Sequence, residues 1–272
     1  MHDNCCSHHL FQRVILMPST FPLEIEEMIL DILGEDDEGH SALKTCSLVC
    51  QAFLHICRKH IFESIVLNAI SPSTTHPFKF ERLLRKTPEI ADYIRKLDVT
   101  IRAADLANPS ILDSLKRISR LEFLIFQSHT TLYWSNNPIR PVLLHLLHLP
   151  TLTHFKVKYC IDFVVSDLIP CVNLKYLDIG FLIDVAAEDT FPATLPKHSI
   201  QLNEFVVQIG ASTAITGMKL WRAQRPDGQP IIDFGSLSKI TVAIVDRNEG
   251  WVLLQDLFNH CHALTHAQIT CK

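Results

Sequence analysis

Hydrophobic positions change their period near residue 70 of the chain. Before that point they recur every three or four residues, the mark of helices with one apolar side. Ile25, Ile29, Ile32 and Leu33 form the first such stripe. Pro22 suits a first helical turn, where its missing N–H costs nothing, and Glu24, Glu26 and Glu27 favour the positive end of the helix dipole. The run "GEDDEG" (34–39) ends that helix with two glycines and four acids. A second helix, opened by Ser41 as its cap, is predicted to carry Leu43, Cys46, Cys50, Phe53, Leu54 and Cys57. Their offsets of 0, 3, 7, 10, 11 and 14 trace one helical face. The two cysteines of "TCSLVCQAF" are therefore expected to pack as small apolar residues. A third helix through Arg58 to Phe62 is expected to lead into the strand-like "ESIVL".

Beyond "SPSTTHP" (71–77), which has linker composition, a different pattern takes over. A hydrophobic-x-x-hydrophobic-x-hydrophobic motif occurs seven times, starting at Ile94, Leu121, Leu152, Leu174, Leu202, Leu237 and Leu264. The starts lie 27, 31, 22, 28, 35 and 27 residues apart, bracketing the period of leucine-rich repeats. Helix-like patches such as "SILDSLKRI", "PVLLHLLHL" and "WVLLQDLFNHC" precede several of them. One strand and one helix per repeat predict an irregular leucine-rich-repeat solenoid, a curved and mostly parallel sheet with helices. An ordinary α/β domain is the alternative, because only one repeat, through Cys160, supplies the Asn or Cys expected at the next inward turn position.

The expected division is a tail (1–20), a small three-helix domain (21–70) and a repeat domain (78–272), α+β or α/β in class. Segments 182–199 and 211–233 exceed usual connection lengths and are expected to be inserted loops, the second holding Trp221 and Arg222 beside "RPDGQP". Phe123, Phe126, Phe155 and Phe163 fall on the repeat period and are expected in the core.

The first domain resembles a known family. Phe21-Pro22-x-Glu24-Ile25, then Ile29 and Ile32-Leu33, then "ALKTCSLVCQAFLHICRKHIFESIVL", look like an F-box. They are most similar to the F-box-like modules of mushroom-type fungi, with their "CSLVC-x-x-aromatic" helix. The match covers residues 21–68; Phe21 stands where leucine is usual, Phe53 where tryptophan is frequent, and the acidic 34–39 run is additional. The stretch 78–99 also resembles these proteins, where it leads into leucine-rich repeats. The resemblance implies a non-catalytic substrate receptor of a cullin-RING ubiquitin ligase, docked on a Skp-family adaptor. It implies adaptor contacts at Pro22, Leu23, Ile25, Ile29, Leu43, Ser47, Leu48, Val49 and Phe53. On a leucine-rich solenoid, outward strand positions would line the concave face: Lys96, Asp98, His154, Lys156, Lys158, Tyr176, Asp178 and Glu204. Their mixed charge points to a protein or peptide substrate rather than a polyanion. A scaffold with a degenerate F-box is the alternative reading.

Bulk chemistry narrows the remaining classes. A chain that is 47% hydrophobic and 20% charged should fold, and a net charge of −4 offers no general attraction to nucleic acid or anionic membrane. Only 8 glycines weigh against glycine-rich nucleotide loops. The longest apolar stretch, 164–187, is interrupted by Asp167, Lys175, Asp178 and Asp184, so no membrane span is expected. Nine irregularly spaced cysteines read as reduced thiols, which places the protein in cytosol or nucleus. "HDNCCSHH" (2–9) and "NHCHALTHAQITC" (259–271) hold potential zinc ligands, but neither has the separated pairs of a structural site. The eight acids against one lysine in 21–50 read as a solvated face, without calcium-loop spacing. Hydrolase and phosphate-loop motifs are lacking, and His55 lies only two residues from Cys57, on another side of a helix. No catalytic residue, metal or cofactor is expected.

Overall fold

The computed structural model describes residues 22–35, 39–68, 76–101, 108–135, 137–180, 185–186, 194–209, 220–244 and 247–271. The 1–20 tail with its His/Cys run, Phe21, most of the 71–77 linker and parts of both long connections lie outside the described residues. The chain divides into two compact units, residues 1–57 and 58–272. No helix among the described residues is long and apolar enough to cross a membrane.

The first unit contains α1 (Leu23–Glu35), α2 (Gly39–Cys46) and most of α3 (Gln51–Ile61). Among its described residues the buried ones are Leu30, Gly39, Leu43, Ile56 and Cys57. Gly39 opens α2 where a Cβ would collide with the Leu33 carbonyl, so the glycine permits a close backbone approach.

Two expectations are corrected in this unit. The helix expected across 43–57 is two helices separated by a turn at 47–50. The Leu48 and Val49 N–H groups donate to the Thr45 and Cys46 carbonyls, tightening the end of α2 into i→i+3 bonds. The Ser47 hydroxyl donates to the Lys44 carbonyl at 2.6 Å. Cys50 then starts α3 as a cap, its Sγ accepting from the Phe53 N–H at 3.5 Å and its carbonyl from the Leu54 N–H. Cys46 and Cys50 thus end one helix and begin the next, both half-buried, rather than sharing a stripe. The α1 stripe of Ile25, Ile29 and Ile32 is exposed, while Leu30 is buried. The third helix expected at 58–62 is the last part of α3.

The second unit is built on one parallel sheet in chain order: β1 (Ser64–Asn68), β2 (Lys96–Ile101), β3 (Phe123–Tyr133), β4 (His154–Ile161), β5 (Tyr176–Gly180), β6 (Glu204–Ile209), β7 (Lys239–Ile244) and β8 (His266–Cys271). Parallel neighbours need crossover connections. These contain α4 (Pro77–Lys86), α5 (Pro109–Leu115), α6 (Arg140–Leu147) and α7 (Arg247–Phe258), with short 3₁₀ turns at 88–92, 165–168 and 234–236. This is an α/β architecture with an open, parallel main sheet.

All seven motif instances lie on strands β2 to β8. The hydrophobics of the first six are buried, as Leu97 and Val99 on β2 or Phe155 and Val157 on β4. The seventh differs: β8 is exposed along its whole length. The strands start by a repeated backbone device. Glu63, Arg95, Glu122, Thr153, Lys175, Asn203 and Ser238 each offer one carbonyl to two consecutive N–H groups at the start of the next strand. Seven such forks fix the register of all eight strands.

The second long connection is not a free insertion in its described part. Leu220, Trp221, Ile231 and Ile232 are buried, and Ile232–Asp233 pairs with Ile200–Gln201. Gly228, at φ 79°, makes the "RPDGQP" turn. Two carboxylates tie connections together in the same way. Asp167 accepts from the Trp134 indole N–H at 2.7 Å and from Arg140 Nε and Nη2 at 3.1 Å. Asp256 accepts from the Trp221 indole at 2.8 Å and from Arg222 Nε and Nη2 at 3.1 and 2.6 Å.

Candidate functional site

Each unit carries one candidate surface. In the first unit, Ile25, Met28, Ile29 and Ile32 sit at helical offsets of 0, 3, 4 and 7 on α1, all exposed. In the 47–50 turn, Leu48 is 85% and Val49 66% exposed. Large aliphatic side chains this exposed make these positions a candidate surface. Pro22 is exposed, while Ser47 and Phe53 are half-buried. Leu43 departs from expectation: it is fully buried, so it supports α2 from within and cannot touch a partner. Of Leu23 only its backbone place, the first residue of α1, is described.

In the second unit, the face of the main sheet opposite the buried motif positions brings the eight expected surface residues together. Strand register aligns Lys96, Phe123, His154, Tyr176, Glu204 and Lys239 in one row across β2 to β7. The next outward row holds Asp98, Ile125, Lys156, Asp178 and Val206. Gln127, Lys158 and Gly180 follow in a third.

Rings stack along the first row. Phe123 and His154 lie 4.0 Å apart between centroids at 21°, and His154 and Tyr176 lie 5.4 Å apart at 25°. The sequence expectation of a core Phe123 is therefore corrected, although Phe126, Phe155 and Phe163 are buried as expected. Phe123 is two residues past its motif start, the outward parity of a strand, whereas Phe126 is five past it. That same parity identifies Lys239, which was also overlooked.

Burial lowers the His154 pKa against the opposing pull of Glu204 and Glu122, and the Thr153 hydroxyl sits 2.8 Å from its Nδ1. Burial, helped by Asp178 and Glu204, pushes the Tyr176 phenol up to about 12. Asp178 is only 5% exposed, and Lys156 Nζ meets its carboxylate at 2.6 Å, so the lysine presents that position to solvent. Lys239 pairs with Glu204 at 2.8 Å.

The Cys57, Cys160 and Cys261 thiols have the chemistry of packing residues. Burial, then Cys46, raises the Cys57 pKa; burial alone pushes Cys160 to about 12 and Cys261 to about 11. In the 259–271 segment, His262 and His266 are exposed. Among the described residues no three His, Cys, Asp or Glu side chains are grouped to hold a metal ion. The 2–9 cluster lies outside those residues.

Compared with known proteins, the sequence matches no family model and no curated protein.

Proposed function

We propose that this chain is a substrate-receptor subunit of a cullin-RING ubiquitin ligase. In this reading the first unit is an F-box that docks on a Skp-family adaptor, and the second is a leucine-rich-repeat-like solenoid that recruits a protein substrate. The chain performs no chemistry itself. It raises the effective concentration of a substrate lysine beside a charged ubiquitin-conjugating enzyme.

The observation that carries this reading is the exposed aliphatic set Ile25, Ile29, Leu48 and Val49, in a unit whose own core is small. Those positions coincide with the F-box-like motif, and burying them would contribute a driving force for docking. Pro22 and Leu23 would fix the start of α1 on the adaptor, with Ser47 and Phe53 at the margin. The repeat reading draws support from the chain-ordered parallel strands and from the seven carbonyl forks, one per repeat. The compartment that fits is cytosol or nucleus.

The test is co-purification of the full chain with the adaptor. Wild type should be retained, and Pro22→Ala combined with Leu48→Asp should not. Loss of retention by wild type, or equal retention of the variant, would sink the ligase reading and favour a repeat scaffold with a degenerate F-box.

A further inference from the structure

The open face of the sheet is unevenly neutralised. Of its four lysines, Lys156 is paired with Asp178 and Lys239 with Glu204. Asp98 is held by the Gln127 amide at 3.5 Å. Lys96 and Lys158 have no ion-pair or hydrogen-bond partner for their ammonium groups among the described residues. Asp98 keeps its charge, so four lysines against the three carboxylates Asp98, Asp178 and Glu204 leave this face one net positive charge, although the protein as a whole carries −4.

Lys158 is also positioned. Its stem lies over Gly180, where an added Cβ would come within 3.1 Å of its Cγ and 3.4 Å of its Cε. The missing side chain at Gly180 makes the channel that the lysine occupies. Lys96 and Lys158 sit two strands apart and four residues out of register, since Lys96 aligns through Phe123 with His154. Strand spacing of about 4.8 Å and a rise of about 3.3 Å per residue separate their backbones by roughly 16 Å. An extended chain covers that distance in about five residues. Ile125 lies between them, and the Phe123–His154 stack borders the path.

We infer that this face binds an extended acidic peptide segment, two carboxylates on Lys96 and Lys158 and an aromatic or large apolar side chain between them over Ile125 and the stack. The inference rests on the receptor reading for taking the occupant to be a protein segment. The two unpaired lysines supply attraction that salt weakens, and the neutralised pairs add little net field.

The test uses the full chain and fluorescent twelve-residue peptides read by anisotropy. One peptide alternates glutamate and phenylalanine; others replace glutamate by glutamine or lysine, or phenylalanine by alanine. The glutamate–phenylalanine peptide should bind, weaken with added salt, and exceed each of the others by about tenfold. Lys96→Glu with Lys158→Glu should cost at least about tenfold. Should the reversal variant fail to fold, Lys96→Ala with Lys158→Ala should still lower affinity. Equal binding of the glutamine or lysine peptide, indifference to these substitutions, or no binding of the acidic peptide overturns the inference. Adaptor capture by the same preparations is read separately, so a failed peptide test with intact adaptor binding removes only this inference.

Discussion

The two candidate surfaces are built from opposite chemistry. On α1 and the 47–50 turn, the exposed large side chains are aliphatic, set beside the exposed acids Glu24, Asp31 and Glu35, and few buried residues lie behind them. On the sheet, the exposed groups are rings, lysines and carboxylates, backed by a continuous core from Ile65 to Leu257. Aliphatic contacts give affinity through water release, with little dependence on ionic strength. A ring-and-charge surface gives register and selectivity, and its affinity should fall as salt rises. One chain thus offers a surface suited to a constant partner and another suited to discriminating among partners.

The sharpest way to break that contrast is to truncate each side. Phe155→Ala, in the core behind the sheet, should cost about 3–5 kcal/mol in urea unfolding, because it removes a fully buried ring and leaves a cavity. A loss below about 1 kcal/mol would mean that the core is not as packed as described. Asp167→Ala should cost about 2–3 kcal/mol, since it strips the acceptor from a largely buried indole N–H and a largely buried guanidinium together. Trp134→Phe alone should cost less, and a combined variant should be non-additive.

The second carboxylate clamp, between α7 and a connection rather than on the open face, tests the second unit's stability through pH. Hydrogen bonds from Arg222 and Trp221 hold the Asp256 carboxyl below the usual carboxylate range. A depressed folded pKa stabilises above the unfolded value and is lost as pH falls through the folded one. The melting-temperature advantage of wild type over Asp256→Asn should therefore be full near neutrality and shrink only in acid, below the ordinary carboxylate pKa. An advantage that shrinks on raising the pH instead would contradict the clamp. The smallest stability effect belongs to the first surface. Leu48→Ala should change unfolding by less than about 0.5 kcal/mol, because the side chain is 85% exposed, while weakening adaptor capture.

The repeat strands were legible because a two-residue alternation survives in every motif, from Leu97 and Val99 to Ile240 and Val242. The outward row was legible for the same reason, and Phe123 departs from expectation because recurrence on the repeat period does not by itself separate inward from outward parity. Helical phase was a poorer guide in the first unit. Ile25, Ile29 and Ile32 have the spacing of a core stripe, yet periodicity cannot distinguish a stripe packed on its own chain from one awaiting a partner. The break at 47–50 hinges on Ser47 and Cys50 bonding backbone groups locally, a competition that hydrophobic spacing does not register. The Trp–Arg–Asp clamps join residues about 27 to 35 positions apart, and nothing in local pattern pairs them.

The central claim is that the first unit's aliphatic surface, and not the sheet, receives the adaptor. Amide hydrogen exchange of the full chain, with and without a Skp-family adaptor, tests it directly. Protection gained within Ile25–Ile32 and Ser47–Cys50, with strands β2 to β7 unchanged, is the predicted result. Protection confined to the strands, or none anywhere at saturating adaptor, would contradict it.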